Sequence, residues 1–368
     1  MKTKELHLSD VKWKPFLIAG KKGIFNIKAT KSGIDKNKLN IEEGSTPYIT
    51  RTEINNGINL FVTEKQNNKY IMDTSNSITI GLDTQSVFYQ EYDFFTGQNI
   101  QILKCDRLNK KIALFIIPLL KIQMEKFNWG GNGATLGRLN RTQIMLPVDK
   151  KGNPNWQFME DYITQEQKKT SDKVLAYYEN KLNSINVKFK TLSNISDIVS
   201  WKEFFLEKVF DIKSGVRLTK ADQEEGNRPF IGASDSNNGI TEFVLNSNKS
   251  LDQNVLGVNY NGSVGEVFYH PYECIFSDDV KRLQLKSKIA KEDNKNENVY
   301  LFLKQSILQQ KEKFGYGYKF NATRMKRQII MLPVRDKNIP DFDCMEYQAL
   351  KEQKRQIDMI IKYLKEKY

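Results

Sequence analysis

Histidine is almost absent from this chain: His7 and His270 are the only two in 368 residues. Neither lies in a spacing that could make a zinc site or a histidine-based catalytic pair, and His270, beside Pro271, reads as a turn residue. Cysteine is scarce as well. Cys105, Cys274 and Cys344 are far apart and odd in number, which excludes a disulfide framework and fits reduced thiols in a cytosolic protein. No apolar run is long enough to cross a bilayer, since the longest, Ile112 to Leu120, is short and contains Pro118. Met1-Lys2-Thr3-Lys4-Glu5 has no apolar region behind it, so no signal peptide is expected. No glycine-rich loop ends in Gly-Lys-Ser or Gly-Lys-Thr, so a nucleotide-phosphate cradle is absent from the sequence.

Positive charge is abundant. Lysine and arginine number 57 against 44 acidic residues, a formal charge of +13 with an isoelectric point near 9.3. Such a balance favours a polyanionic partner such as nucleic acid, or an anionic membrane surface, over solubility as its sole purpose. Hydrophobic residues make up 39% of the chain, enough for an ordinary core in each of two or three domains.

The chain repeats itself at about half its length. Ile144-Met145-Leu146-Pro147-Val148 returns as Ile330-Met331-Leu332-Pro333-Val334, and the match runs outward without a gap. Arg138 and Arg141 fall on Arg324 and Arg327, Pro154 on Pro340, Trp156 on Phe342, and Met159-Glu160 on Met345-Glu346. The two halves also open alike, with Trp13-Lys14-Pro15-Phe16 answering to Trp201-Lys202-Glu203-Phe204. Asn55-Asn56-Gly57 and Asn237-Asn238-Gly239 lie between β-prone segments, a tight-turn signal that predicts a hairpin at corresponding places. Val87-Phe88-Tyr89 and Val267-Phe268-Tyr269 predict short aromatic strands. The two glycines of Asn261-Gly262-Ser263-Val264-Gly265 permit either a tight turn or close approach to a partner.

Helical segments are expected over Ile112 to Lys126 and Tyr300 to Lys313. Each is followed by a glycine-rich aromatic loop, Asn128-Trp129-Gly130-Gly131-Asn132-Gly133 and Gly315-Tyr316-Gly317-Tyr318, then by basic residues and the Met-Leu-Pro-Val strand. Beyond the strands, proline-led helices are predicted from about Trp156 to Leu182 and from about Phe342 to Tyr368. The second carries a narrow seam at Leu350, Ile357, Ile360, Ile361 and Leu364, and the first a less regular one that includes Met159, Tyr162, Val174, Tyr178 and Leu182. A narrow seam calls for one partner helix, and the simplest partner is the other copy. A helix of about 28 residues would be roughly 42 Å long, comparable with a turn of B-DNA, roughly 34 to 36 Å.

This duplicated pattern resembles the DNA specificity subunit of type I and type IIB restriction-modification systems over essentially the whole chain. The resemblance implies an α+β fold with target recognition domains at 1–150 and 191–335. Each would be followed by a spacer helix, at 151–190 and 336–368, the two packed as an antiparallel coiled coil with pseudo-two-fold symmetry. It implies that each half reads one part of a bipartite site on double-stranded DNA. It also implies that a methyltransferase subunit and an endonuclease subunit, or one fused polypeptide, supply adenine methylation and cleavage. No cofactor would be bound by this chain; S-adenosylmethionine and Mg²⁺ would belong to the partners. The rather short helices favour the type IIB branch. The first half departs most, Gly81-Leu82-Asp83-Thr84-Gln85-Ser86 standing where the second has Asn-Gly-Ser-Val-Gly.

Residues identical in both halves cannot explain how two domains read different sequences. Arg138, Arg141, Arg324 and Arg327 are therefore assigned to phosphate contacts, bracing of the strand end being the alternative, and the basic Lys326 and Lys319 beside them are assigned to phosphate as well. Residues that differ are the candidate base or groove readers: Arg51, Asn128, Trp129, Asn132, Asn261, Ser263, Tyr316 and Tyr318. Tyr162, Val174, Leu350, Ile357, Ile360, Ile361 and Leu364 are candidate helix-seam and subunit-docking residues. Two other readings compete: a stand-alone two-domain DNA-binding regulator or specificity-subunit mimic, and a nuclease using Asp341, Glu352 and Lys354 around Mg²⁺. Asn153-Pro154-Asn155-Trp156 superficially resembles an amino-methyltransferase loop but is better read as a helix lead-in.

Overall fold

The computed structural model describes residues 5–127, 133–192, 200–336 and 339–367. It divides into two compact units, Met1–Lys173 and Val174–Tyr368. The first contains, in order, β1 Trp13–Leu17, β2 Asn26–Ala29, β3 Thr46–Ile49, β4 Ile58–Val62, β5 Ser77–Gly81, β6 Val87–Gln90, β7 Phe95–Thr96, β8 Ile100–Lys104, α1 Lys110–Met124, α2 Leu136–Leu139 and β9 Gln143–Pro147. The long helix α3, Trp156–Thr191, begins in this unit, and the unit boundary falls within it. The second unit contains β10 Ser200–Phe205, α4 Leu206–Val209, β11 Phe210–Ser214, β12 Glu225–Ile231, β13 Ile240–Val244, β14 Val255–Asn259, β15 Val267–His270, β16 Ile275–Phe276 and β17 Val280–Leu285. It ends with α5 Glu297–Leu308, α6 Ala322–Arg327, β18 Ile329–Asp336, β19 Ile339–Pro340 and α7 Phe342–Lys367.

The repeat seen in the sequence is a repeat of topology. Each unit has a four-stranded antiparallel sheet, β2-β8-β5-β6 and β11-β17-β14-β15. Each has a three-stranded sheet in which β3 or β12 pairs antiparallel with its hairpin partner and parallel with β7 or β16. Each is closed where the Met-Leu-Pro strand pairs antiparallel with the strand that opens the domain, Trp13 opposite Pro147 and Trp201 opposite Pro333. Strand alternation buries Ile144 and Leu146, Ile330 and Leu332, and leaves Met145 and Met331 exposed. The opening tryptophans stack on the crossing helices, Trp13 on Phe115 at 6.1 Å and Trp201 on Phe302 at 6.2 Å between ring centroids.

Helix spacing drives the cores. In α1, Ile112, Phe115, Ile116 and Leu120 form one buried face against Ile78, Ile80 and Leu103 of the sheet. In α5, Val299, Tyr300, Leu303 and Ile307 do the same against Leu256, Val258 and Leu283. Both helices start on an asparagine cap, Asn109 accepting from the Ile112 amide at 3.0 Å and Asn296 from that of Val299 at 3.2 Å. The paired Met-Glu motif now has a physical meaning. Met159 and Met345 are fully buried, while Glu160 and Glu346 accept the side-chain amides of those same cap asparagines, the second at 3.0 Å.

The predicted hairpins are present, and their left-handed run is three residues long. Asn55, Asn56 and Gly57 have φ of 51°, 56° and 79°, and Asn237, Asn238 and Gly239 have 51°, 55° and 75°. Asparagine and glycine tolerate that region, and Asn56 and Asn238 use it to donate to the Tyr89 and Tyr269 carbonyls at 2.8 and 3.1 Å. His270 is a correction to the turn expectation: it ends strand β15 and is fully buried. Gly257, two residues beyond the register partner Val255 on the neighbouring strand, leaves room for its ring, since a Cβ there would lie 2.8 Å from Nε2.

Helix α3 also runs beyond the expected end at Leu182, to Thr191. Ile185 and Phe189 continue the apolar spacing and pack with Leu182, Leu350, Ile357 and Ile361 inside the second unit. Polar contacts follow the same path. Glu179 meets Lys365 at 2.8 Å, Asn186 accepts from Lys354 at 2.9 Å, and Lys188 meets Glu346 at 3.7 Å, so numbering rises along one helix as it falls along the other. Among the described residues no helix is long and apolar enough to cross a membrane.

Leu350→Ala should cost the second unit about 2–4 kcal/mol in a denaturant titration, because Leu350 is buried between two helices that cannot collapse onto the void. A second expectation concerns acid. Burial, with some help from Lys304, lowers His270 from 6.5 to about 3. Below about pH 6.5 the unfolded state takes up the proton first, so stability is lost as pH falls from there toward the folded value. Gln90 is the counterpart of His270. The cost of His270→Gln should therefore shrink between about pH 7 and about pH 5 in thermal melts; a constant difference would refute the assignment.

Candidate nucleic-acid interface

Loops that join the paired strands gather at one end of each unit. In the first, Arg51 in the β3–β4 connection is exposed and ion-paired with Asp83 of the β5–β6 loop. Thr84 donates to the Arg51 carbonyl at 2.7 Å, and the Leu82 amide to that of Asn99 at 2.9 Å. The end of the glycine-rich loop joins them, the Ala134 amide donating to the Leu82 carbonyl at 3.3 Å. Arg51 is thus an arginine presented to solvent with one edge held by a carboxylate.

The second unit builds the same place differently. The β14–β15 loop, two residues longer than its counterpart, folds onto the β12–β13 connection, with Ser263 donating its amide to the Ala233 carbonyl at 3.1 Å. Gly262, at φ 60°, sits so close that a Cβ would meet the Ala233 oxygen at 2.6 Å. That glycine therefore serves a turn against its own chain. Asn261 donates to Asp279 at 3.0 Å, and Asn259 to the Ser234 carbonyl at 2.9 Å. Nearby, the ammonium of Lys281 lies 4.3 Å from the Tyr260 ring centre, and burial lowers its pKa. Lys311, which leads into the glycine-rich loop, is paired with Glu266.

The two repeated arginine pairs divide. Arg138 donates to the Gly133 carbonyl at 2.9 Å and Arg324 to the Lys319 carbonyl at 2.7 Å, five residues back in each case. Each therefore braces its glycine-rich loop. Arg141, Lys326 and Arg327 are exposed. Gly315 and Tyr318 exchange backbone hydrogen bonds, which puts Tyr316 at the tip of a short hairpin with Lys319 5.3 Å from its ring centre. Asn128, Trp129 and Asn132 lie outside the described residues. Of the seam candidates, Leu350, Ile357 and Ile361 pack on α3, Ile360 and Leu364 are half-buried, Tyr162 packs on the first unit's core, and Val174 is exposed.

Sequence reasoning missed Asp83 and Asp279, the carboxylates that orient Arg51 and Asn261, although both lie in segments where the halves differ. The nuclease grouping does not assemble. Asp341 caps α7 through the Cys344 amide at 3.1 Å and pairs with Arg335. Glu352 is held near 2 chiefly by Arg355, and Lys354 is bound to Asn186. Asp341 and Glu352, eleven residues apart at the start and middle of one helix, are separated by about 16 Å. Asn155 is likewise a helix cap, accepting from the Phe158 amide at 3.1 Å. Among the described residues no group of three or more metal-ligating side chains exists.

Paired scaffolds with unlike loop tips and a helix locked to each define a two-domain recognition protein. The chain belongs to the family of the type I restriction modification DNA specificity domain, which matches it twice, over residues 11–176 and 198–357. It is 44% identical over 339 residues, 91% of this chain and 93% of the relative, to the type II restriction enzyme BgcI specificity subunit S.BcgI of Heyndrickxia coagulans. Its fold is similar to that of the type I restriction-modification S subunit from M. genitalium, with a TM-score of 0.50 at 16% identity over 98% of this chain and 94% of that one. It is a specificity subunit of a restriction-modification system with two recognition domains.

Arg324→Ala removes a charged donor and the guanidinium 3.7 Å from the Tyr318 ring centre. A loss of about 1 kcal/mol should speed amide exchange at Tyr318 roughly fivefold. Unchanged protection would mean that ring stacking alone holds the hairpin.

Proposed function

We propose that each half of this subunit reads one part of a bipartite site on double-stranded DNA and so directs adenine methylation and cleavage by partner polypeptides. The observation that carries this is the division of labour within one scaffold. Residues common to both halves tie strand to helix and loop to strand, while the residues presented at the loop ends differ. Arg51 suits bidentate contact with guanine, and Asn261 and Ser263 are the differing groups at the equivalent place. Arg141, Lys326, Arg327 and Lys319 supply phosphate contacts. Arg138 and Arg324 act through the loops that they brace.

The catalytic work belongs to the partners, one methyltransferase–endonuclease polypeptide on the type IIB reading, which would bring S-adenosylmethionine and Mg²⁺. The kinship with a type II specificity subunit supports that branch. We further read α3 and α7 as an antiparallel coiled coil that spaces the recognition domains and docks the enzyme. Its support is the reversed order of the paired residues, together with Val187, Met359 and Tyr363, which stay exposed on these helices after they pair.

Co-expression with a methyltransferase partner, followed by methylation mapping, should reveal modified adenines in a two-part motif with a fixed gap. Exchanging residues 1–150 for those of a relative should change one part only; a change in both parts would sink the modular reading. Arg327→Ala should weaken binding evenly across sequences and reduce the salt slope by about 1. An altered base preference would instead make Arg327 a reader.

A further inference from the structure

The hairpin at 315–318 has more structure than a phosphate contact requires. Its stem is built of stacked rings: Phe314 stacks with Phe320, 4.0 Å away, and with Tyr318, 5.9 Å away and nearly parallel. Phe320 is buried in the second unit's core, so the stack is anchored. Arg324 lies close to the Tyr318 ring and ties its guanidinium to the Lys319 carbonyl. The tip is bare. Tyr316 is 84% exposed, and side chains grown from Gly315 or Gly317 would meet nothing within 4 Å. An aromatic ring is thus held out on a thin, stiff support, without the apolar surround that would cover it in a protein interface.

Its surroundings select the partner. Between residues 311 and 327 stand six basic residues and one acidic residue, the composition of a surface that meets phosphates. The Lys319 ammonium lies over the Tyr316 ring. That exposed cation–π contact is weak, and a charge-assisted bond to a phosphate can replace it, which frees the ring face as the backbone arrives.

We propose that Tyr316 is a wedge: on binding it enters a groove of the second half-site and inserts its ring against a base step, which it partly unstacks. Apolar wedges that kink duplexes work this way, and the unstacking cost falls to a support ordered beforehand. The proposal rests on the DNA-reading function above and adds a deformation of the target at one step.

The test uses the subunit in complex with its methyltransferase and the duplex defined by methylation mapping, with 2-aminopurine placed at each position of the second half-site in turn. Apart from the methylated adenine, which its methyltransferase unstacks by flipping, the wild-type complex should brighten at one step. Tyr316→Phe should keep that signal, whereas Tyr316→Ala should lose it and bind about tenfold or more weakly, with an unchanged melting temperature. The wedge is overturned if no position other than the methylated adenine brightens with the wild-type complex, or if Tyr316→Ala brightens at that other position and binds like the wild type. Loss of methyltransferase co-purification with DNA brightening retained would also overturn it, and would assign the finger to a protein contact. A wild-type complex that binds no duplex sequence-specifically would bring down the DNA-reading function itself, a result distinct from the loss of brightening alone.

Discussion

One side-chain amide in each half joins the recognition domain to the long helix that follows it. The oxygen of Asn296 caps α5 while its nitrogen donates to Glu346 on α7. Asn109 does the same between α1 and Glu160 on α3. An asparagine offers both an acceptor and two donors, so a single residue fixes the start of the domain helix and the angle at which the long helix leaves. Beside it Met159 or Met345 is sunk into the core. The contact therefore couples each domain's crossing helix rigidly to the long helix that follows it. The same tie, made twice, explains why Met-Glu recurs at corresponding places although neither residue touches a loop tip.

Within the shared scaffold the two copies have diverged in matched sets. Buried Asp73 accepts hydrogen bonds from Thr30 and the Lys31 amide, yet burial still raises its pKa. Its counterpart Asp252 is instead paired with the buried Arg282, which stands where the first half has Ile102. Gln90 bonds to Thr79 and to the Asn56 carbonyl, whereas His270 faces Gly257 and stacks edge-on against Phe276. Changing one member of either set alone would leave a buried polar group unpaired or a ring without space. Compensation of this kind let the interiors differ while the strand order stayed the same, and it left the loop ends free to vary independently.

Much of the architecture was legible in the residues. The repeated strand, the crossing helices, the proline-led starts of the long helices, and the hairpins all rest on short-range spacing. The candidate interface was less legible. Arg138 and Arg141 read alike in sequence, yet one is committed to a main-chain carbonyl and the other is exposed. Arg51 was visible as a difference between the halves, but its orienting partner Asp83 lies 32 residues away and no periodic pattern connects them.

The sequence by itself determined that one domain is used twice and where its hairpins, crossing helices and closing strands fall, and its basic balance pointed toward a polyanionic partner. Those properties follow from composition and from local periodicity, which a chain records directly. Only the tertiary structure decided which arginines belong to the scaffold, that His270 is a core residue, that α3 continues to Thr191 because Ile185 and Phe189 find α7, and that Tyr316 stands on a braced aromatic stem. Each of those outcomes depends on a partner brought close by folding, and hydrogen-bonding or stacking partners far apart in the chain leave no regular trace in it.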